Sequence, residues 1–142
     1  MIHIPPHIIA QVFSYAAMVK VSLAKQFGLN TFQFLSLVLV GSTDGLSIKE
    51  LKRKLSISGS SLTFTLDSLE KKKLIKRRRS KEDRRQWLLS LSAGGERLYA
   101  KILKAGNETM SPVLDNLSES EKAAFLRIAE EISRAGDTIS LI

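Results

Sequence analysis

The sequence predicts a mainly α fold carrying one small β-hairpin, an α+β class, and three observations predict it. Apolar residues recur at three- and four-residue spacing over most of the chain. Serine followed three residues later by glutamate, at Ser47–Glu50 and Ser118–Glu121, has the pattern that opens helices. Only residues 74–91 alternate like two paired strands about a polar turn. The 142 residues amount to one domain, or one domain with an extension. A content of 44% hydrophobic and 25% charged residues is ordinary for a chain that buries a core. The absence of cysteine excludes disulfides, thiolate metal sites, thiol nucleophiles and cysteine redox sensing.

Pro5 and Pro6 suit a first helical turn, and Ile8, Ile9, Val12, Phe13, Ala16, Val19, Leu23 and Phe27 give a helix over His7–Phe27 that Gly28 ends. Tyr15, Met18 and Val21 lie elsewhere on it, so the helix is too apolar for an exterior and is expected to be buried on more than one side. Thr31 is expected to cap a second helix to about Gly41, with Phe32, Leu35, Leu39 and their neighbours inward. After an Asp44-Gly45 turn, Ser47 opens a short helix that carries Ile48, Leu51 and Leu55 on one face. Ser58 caps the next, to about Lys72, with Leu62, Leu66 and Leu69 inward and Ser60, Ser61, Phe64, Thr65, Ser68 and Lys72 outward. Two short helices joined tightly, the second small and polar outside, form a helix-turn-helix pattern. Residues 74–78 and 86–91 read as strands around the polar stretch 79–85, a basic-tipped hairpin or wing, with Trp87 expected as a core anchor beneath it. Ser92 caps a long helix with Leu98, Ile102 and Ala105 in register, and Pro112 marks a kink or break. Ser118 opens a last helix bearing Phe125, Leu126, Ile128, Ala129 and Ile132.

The net charge of +8 is not evenly spread. Residues 47–91 hold 14 of the 22 basic and 5 of the 14 acidic side chains, a surplus of nine, while the rest of the chain is nearly neutral. Such a patch releases condensed counterions when it meets a polyanion, although a solvated basic surface has the same composition. No basic segment precedes Lys20, so no signal peptide is read. The uncharged stretch 26–43 is interrupted by Gly28, Asn30, Gln33 and Gly41, short of the ~20 apolar residues of a membrane span. The expectation is a soluble cytoplasmic protein with no membrane partner.

Three local motifs carry a resemblance: Asp83-Arg84-Arg85 at the hairpin tip; Leu91-Ser92-Ala93-Gly94-Gly95, similar to Leu-Thr-x-x-Gly; and Leu66-Asp67-Ser68-Leu69-Glu70-Lys71-Lys72 followed by Leu74-Ile75. Together with the order helix, helix, helix-turn-helix, wing, long helix, final helix, the sequence resembles the MarR family of transcription regulators, most clearly from Asn30 to Ile132. The resemblance implies a homodimer with intertwined terminal helices, bound to a pseudo-palindromic double-stranded DNA operator and associated with the nucleoid. It divides the chain into an N-terminal dimerisation helix (1–30), a winged DNA-binding region (31–91) and C-terminal dimerisation helices (92–142). It implies DNA contacts from Ser58, Ser60, Ser61, Phe64, Ser68 and Lys72 on the recognition helix and from Arg79, Lys81, Arg84 and Arg85 on the wing. Asp83 would orient an arginine by a charge-assisted contact. The resemblance also implies a repressor that a small aromatic or phenolic ligand relieves. Candidate lining residues are Phe13, Tyr15 and Phe34, which read equally as core. The family's peroxide-sensing branch uses a cysteine, which this chain lacks. Phe64 stands where the family often has Arg, and reads either as touching a thymine methyl or as packing on a neighbour. Lys73 stands where a left-handed Gly is usual.

Against these stand blander readings. His3 and His7 lie across Pro5 and Pro6 and do not make a metal pair. No nucleophile–base pair, Gly-rich phosphate loop or isolated carboxylate pair supports an enzyme, and no cofactor is expected. The alternative function is a winged-helix module that binds RNA or a protein partner without operator specificity.

Overall fold

Polar side chains set the helix starts in the computed structural model, which describes residues 3–138. The elements are α1 (Pro6–Gln26), α2 (Thr31–Ser42), β1 (Leu46–Ser47), α3 (Ile48–Leu55), α4 (Gly59–Lys71), β2 (Ile75–Arg79), β3 (Trp87–Leu91), α5 (Ala93–Leu114) and α6 (Glu119–Thr138). Ser47, Ser58, Ser92 and Ser118 each accept the backbone N–H three residues on, as the sequence predicts. The start of α2 differs. Asn30 rather than Thr31 caps it: Asn30 Oδ1 accepts from Gln33 N at 2.9 Å and Gln33 Oε1 accepts from Asn30 N at 3.0 Å, a reciprocal box.

The capping box on α3 has a pH consequence. The Ser47 N–H, and after it the Ser47 hydroxyl, hold the Glu50 carboxyl below its ordinary value of 4.5. A carboxyl lowered in the folded state contributes stability that is present above pH 4.5 and lost as the pH falls through the folded value. Thermal melts from pH 6 down to pH 3 are therefore expected to lose more stability in the wild type than in Glu50→Gln. Equal losses would remove the box as a contributor.

A short strand that the sequence did not reveal, β1, pairs antiparallel with β3 through Leu46↔Leu89, so the sheet has the order β1-β3-β2. Two residues are too few for a periodic signal. The core joins this sheet to the helices: Leu37, Leu46, Leu51, Leu62, Leu66, Leu69 and Leu89 are fully buried. Helix α2 is central and touches α1, α3, α4, α5 and β3. Its fully buried residues are accordingly Gln33, Phe34, Ser36, Leu37 and Val40; the expected Leu35 and Leu39 are half-buried against the core, and the expected Phe32 is exposed. A helix enclosed on several sides has no single apolar stripe to read.

Two further expectations are corrected. Pro112 lies inside the last turn of α5 and neither breaks nor ends it there. Trp87 is not a core anchor: it is 39% exposed, because it pairs with Arg79 at the open end of the β2–β3 ladder, beyond the helices.

The terminal helices are the least covered. Only Ala24 is buried on α1, while Ile9, Val12, Phe13, Met18 and Val21 stand exposed. On α6 the apolar residues Phe125, Leu126, Ile128 and Ile132 are exposed as well. By length and composition α1 could also cross a membrane, a property that the interrupted stretch 26–43 did not reveal.

Candidate nucleic-acid interface

The connection between α3 and α4 is tight because Ser56 takes a left-handed conformation (φ 51°) and its N–H bonds Arg53 O at 3.2 Å. Helix α4 then presents its apolar side to the core through Leu62, Leu66 and Leu69. Thr65, expected outside, is buried instead, and its hydroxyl donates back to Ser61 O at 2.9 Å. Ser60, Ser61 and Phe64 are exposed as expected. Phe64 is 73% exposed and so does not pack within its own chain. Ser58 is an internal cap, its hydroxyl 2.9 Å from that of Ser61 and 3.2 Å from that of Ser60. Ser68 is half-buried, accepting from Gln33 Nε2 at 2.8 Å, and stands at the edge of the outward face.

At the end of α4, Lys72 is exposed and Lys73 takes φ 57° where glycine is usual, at a cost of about 1 kcal/mol. The turn is nevertheless closed: Leu74 N bonds Leu69 O at 3.0 Å and Lys73 N bonds Glu70 O at 2.9 Å. Arg77 on β2 ties the wing to this helix. Its guanidinium bonds Asp67, and its Nε lies 3.3 Å from Glu70 Oε2, an ion pair not aligned as a hydrogen bond. Arg77 is therefore committed internally rather than available to phosphates.

The wing tip is built by side chains that accept backbone N–H groups. Ser80 Oγ accepts from Glu82 N at 3.2 Å and Asp83 N at 3.3 Å, and Asp83 Oδ1 accepts from Arg85 N at 3.0 Å. Asp83 thus orients Arg85 through its backbone, not through the guanidinium contact expected. Ser80, missed in the sequence, is buried here; a serine before a charged loop carries no distinguishing signal. Arg79 is exposed but engaged: its guanidinium covers the Trp87 ring at 4.0 Å and donates to Arg84 O at 2.9 Å. Lys81, Arg84 and Arg85 remain exposed on the tip.

Between the start of α3 and the wing runs an open groove of about 680 Å³. Lys49, Arg53, Arg78 and Lys81 line it, offset by Glu50 and Glu82, so its field favours anions. A separate apolar cleft of about 730 Å³ lies between α1, α2, α5 and α6. Tyr15 and Phe34 line it with Val12, Leu23, Met110 and Phe125. Phe13 does not, and is 67% exposed. Among the described residues no cluster of three or more His, Cys, Asp or Glu could hold a metal ion.

Comparison with known proteins agrees with this architecture. The MarR family model matches residues 29–87. The HTH-type transcriptional repressor MdtR of Bacillus subtilis (strain 168) is 28% identical over 117 residues, spanning 82% of this chain and 75% of MdtR. A MepR mutant from a multidrug resistant S. aureus clinical isolate superposes with a TM-score of 0.79 at 21% identity, covering 94% of this chain and 99% of that one. Streptococcus pneumoniae FabT, crystallised in complex with DNA, superposes with a TM-score of 0.70 at 19% identity, covering 90% of this chain and 94% of that one.

Proposed function

Because the chain belongs to the MarR family of transcriptional regulators, we propose that it acts as a homodimeric repressor on a pseudo-palindromic duplex operator, one half-site per subunit. The family is one of DNA-binding regulators and not of catalysts. The observation that carries the reading is the outward face of α4: mostly polar, with Phe64 as its one large apolar side chain, and uncovered by the rest of the chain, beside a wing that exposes Lys81, Arg84 and Arg85. Two such helices roughly 34 Å apart enter successive major grooves, and the wings reach the flanking minor grooves. Ser60, Ser61 and Phe64 would face bases, while Ser58, Ser68 and Lys72 would flank them. In this reading residues 31–91 bind the DNA, residues 1–30 and 92–142 pair the subunits, and the protein works on the nucleoid in the cytoplasm.

Fluorescence anisotropy with duplex DNA from the protein's own upstream region, against scrambled duplex at two salt concentrations, tests this. A preference of about 10³-fold or more, with affinity falling steeply in salt, is expected. No binding at low salt would overturn it, and tight binding to single strands would favour the RNA-module alternative.

The dimer is supported by the exposed apolar faces of α1 and α6. The stripe on α6 lies on a helix that also carries Glu121, Lys122, Arg127, Glu130, Glu131 and Arg134, a composition suited to a protein partner rather than lipid. Sedimentation equilibrium is expected to give a dimer, and Leu126→Glu with Ile132→Glu a monomer. A monomeric wild type would refute the interface. The cleft bearing Tyr15 and Phe34 fits a small aromatic acid or phenol as effector, so benzoate is expected to release preformed complexes; unchanged binding at saturating benzoate would count against that class.

A further inference from the structure

We propose that Phe64 reads the 5-methyl group of a thymine in the major groove, making a T in each half-site a position specified by apolar contact. The inference rests on the duplex-binding reading above and names what one residue of that interface recognises.

The argument begins with what α4 lacks. Its exposed stripe runs Ser60, Phe64, Asp67, Lys71, at successive spacings of four, three and four. From Gly59 to Glu70 the helix holds no Arg, Lys, Asn or Gln, the side chains that bond guanine or adenine edges bidentately. Asp67 could accept from a cytosine amine, but Arg77 already holds it. The Thr63 hydroxyl is donated to Gly59 O at 2.9 Å, and the serines at 58, 60 and 61 share hydrogen bonds among themselves.

What the stripe offers instead is an uncovered phenyl ring. Among the described residues, the other large apolar side chains exposed beyond 60% are Phe13, Met18, Leu126 and Ile132, all on α1 or α6, where a second copy would cover them. Phe64, at 73%, stands apart from them on a polar helix with Lys71 and Lys72 at its end. Those cations draw the helix to phosphates and not to an apolar protein surface. Within the major groove, the thymine methyl is the apolar group that the base edges present.

The test replaces thymine by uracil, which deletes the methyl and leaves every donor and acceptor in place. A duplex is first enriched by the wild-type protein from a random 24-base-pair pool, then resynthesised with dU for each dT in turn, symmetrically in both half-sites. At one position the wild type is expected to lose about fourfold per half-site, the ~0.8 kcal/mol of a buried methyl converted at ~1.4 kcal/mol per decade. Phe64→Ala is expected to bind the dT and dU duplexes equally, and Phe64→Leu to keep part of the difference. Both should fold normally, because Phe64 is mostly exposed and lies outside the core. Indifference of the wild type to dU at every position, or an unchanged dT/dU ratio in Phe64→Ala, would overturn the assignment. A protein that enriches no duplex would instead sink the duplex-binding reading, and this inference with it.

Discussion

Arg84→Ala combined with Arg85→Ala is expected to weaken duplex binding by about 3 kcal/mol or more, and Arg85→Ala alone by about 1–3 kcal/mol. The proposed dimer carries two wings, so the double variant would remove four cations from one complex. The slope of log K against log salt should flatten by roughly three to four, because each lost cation no longer displaces a counterion. The fold should be indifferent. The tip is held by Ser80 and Asp83 accepting backbone N–H groups, and the Arg84 group that Arg79 bonds is its carbonyl, which alanine retains. Titration of wild type and both variants against one duplex at two salt concentrations reads both effects. Unchanged affinity in the double variant would remove the wing from the interface. Arg79→Ala provides a useful contrast: it leaves Arg84 and Arg85 in place but removes the exposed cation over Trp87, so a loss of binding with an unchanged salt slope comes from a looser wing and one with a flatter slope from a lost phosphate contact.

The fold was legible wherever a local rule acts through neighbours in sequence. The boxes at Ser47 and Ser118, the cap at Ser58 and the stripe Leu62, Leu66, Leu69 depend on residues within a few turns, and the structure keeps all of them. Expectations failed where tertiary surroundings decide. Helix α2 is enclosed by five elements, so its buried set could not be found from one periodic face. Trp87 looked like core by type and alternation, yet its place at the end of the ladder puts it outside and under Arg79.

The candidate site divides in the same way. Charge density pointed to the candidate interface, but charge alone cannot say which cations are engaged by neighbours in their own chain. Arg77 and Arg79 stand among exposed basic residues in the sequence; in the structure one ties β2 to Asp67 and Glu70 and the other covers an indole ring. Asp83 was singled out for a side-chain contact with arginine and accepts a backbone N–H from Arg85 instead, an interaction with the same partner through a different atom. Ser68 lies on the outward side by residue count, but Gln33, which is 35 residues away, accounts for its hydrogen bond.

Gly95→Ala is expected to destabilise the fold by roughly 3 kcal/mol or more, beyond the ordinary range for one added methyl. A Cβ built at Gly95 would lie 1.9 Å from Leu74 O, 2.9 Å from Leu74 C and 3.3 Å from the Leu91 side chain. The first two obstacles are backbone, so no rotamer change relieves them. The start of α5 would have to withdraw from the end of the wing. That movement strains two bonds joining them: Ser92 N to Leu74 O at 3.0 Å, and the Ser92 hydroxyl to Lys73 O. Both lie beside Lys73, which is already held in a left-handed conformation. The glycine that carries part of the family resemblance is thus required by a carbonyl contact between sequence-distant segments, which residue spacing could flag but not explain. Gly106→Ala serves as the control. Gly106 sits in the same helix with nothing within 4 Å of a built Cβ, so that change should leave stability unaltered or raise it by up to about 1 kcal/mol. Denaturant unfolding of the three proteins checks both signs. Similar midpoints for Gly95→Ala and wild type would mean that the close approach of α5 to Leu74 is not a structural requirement.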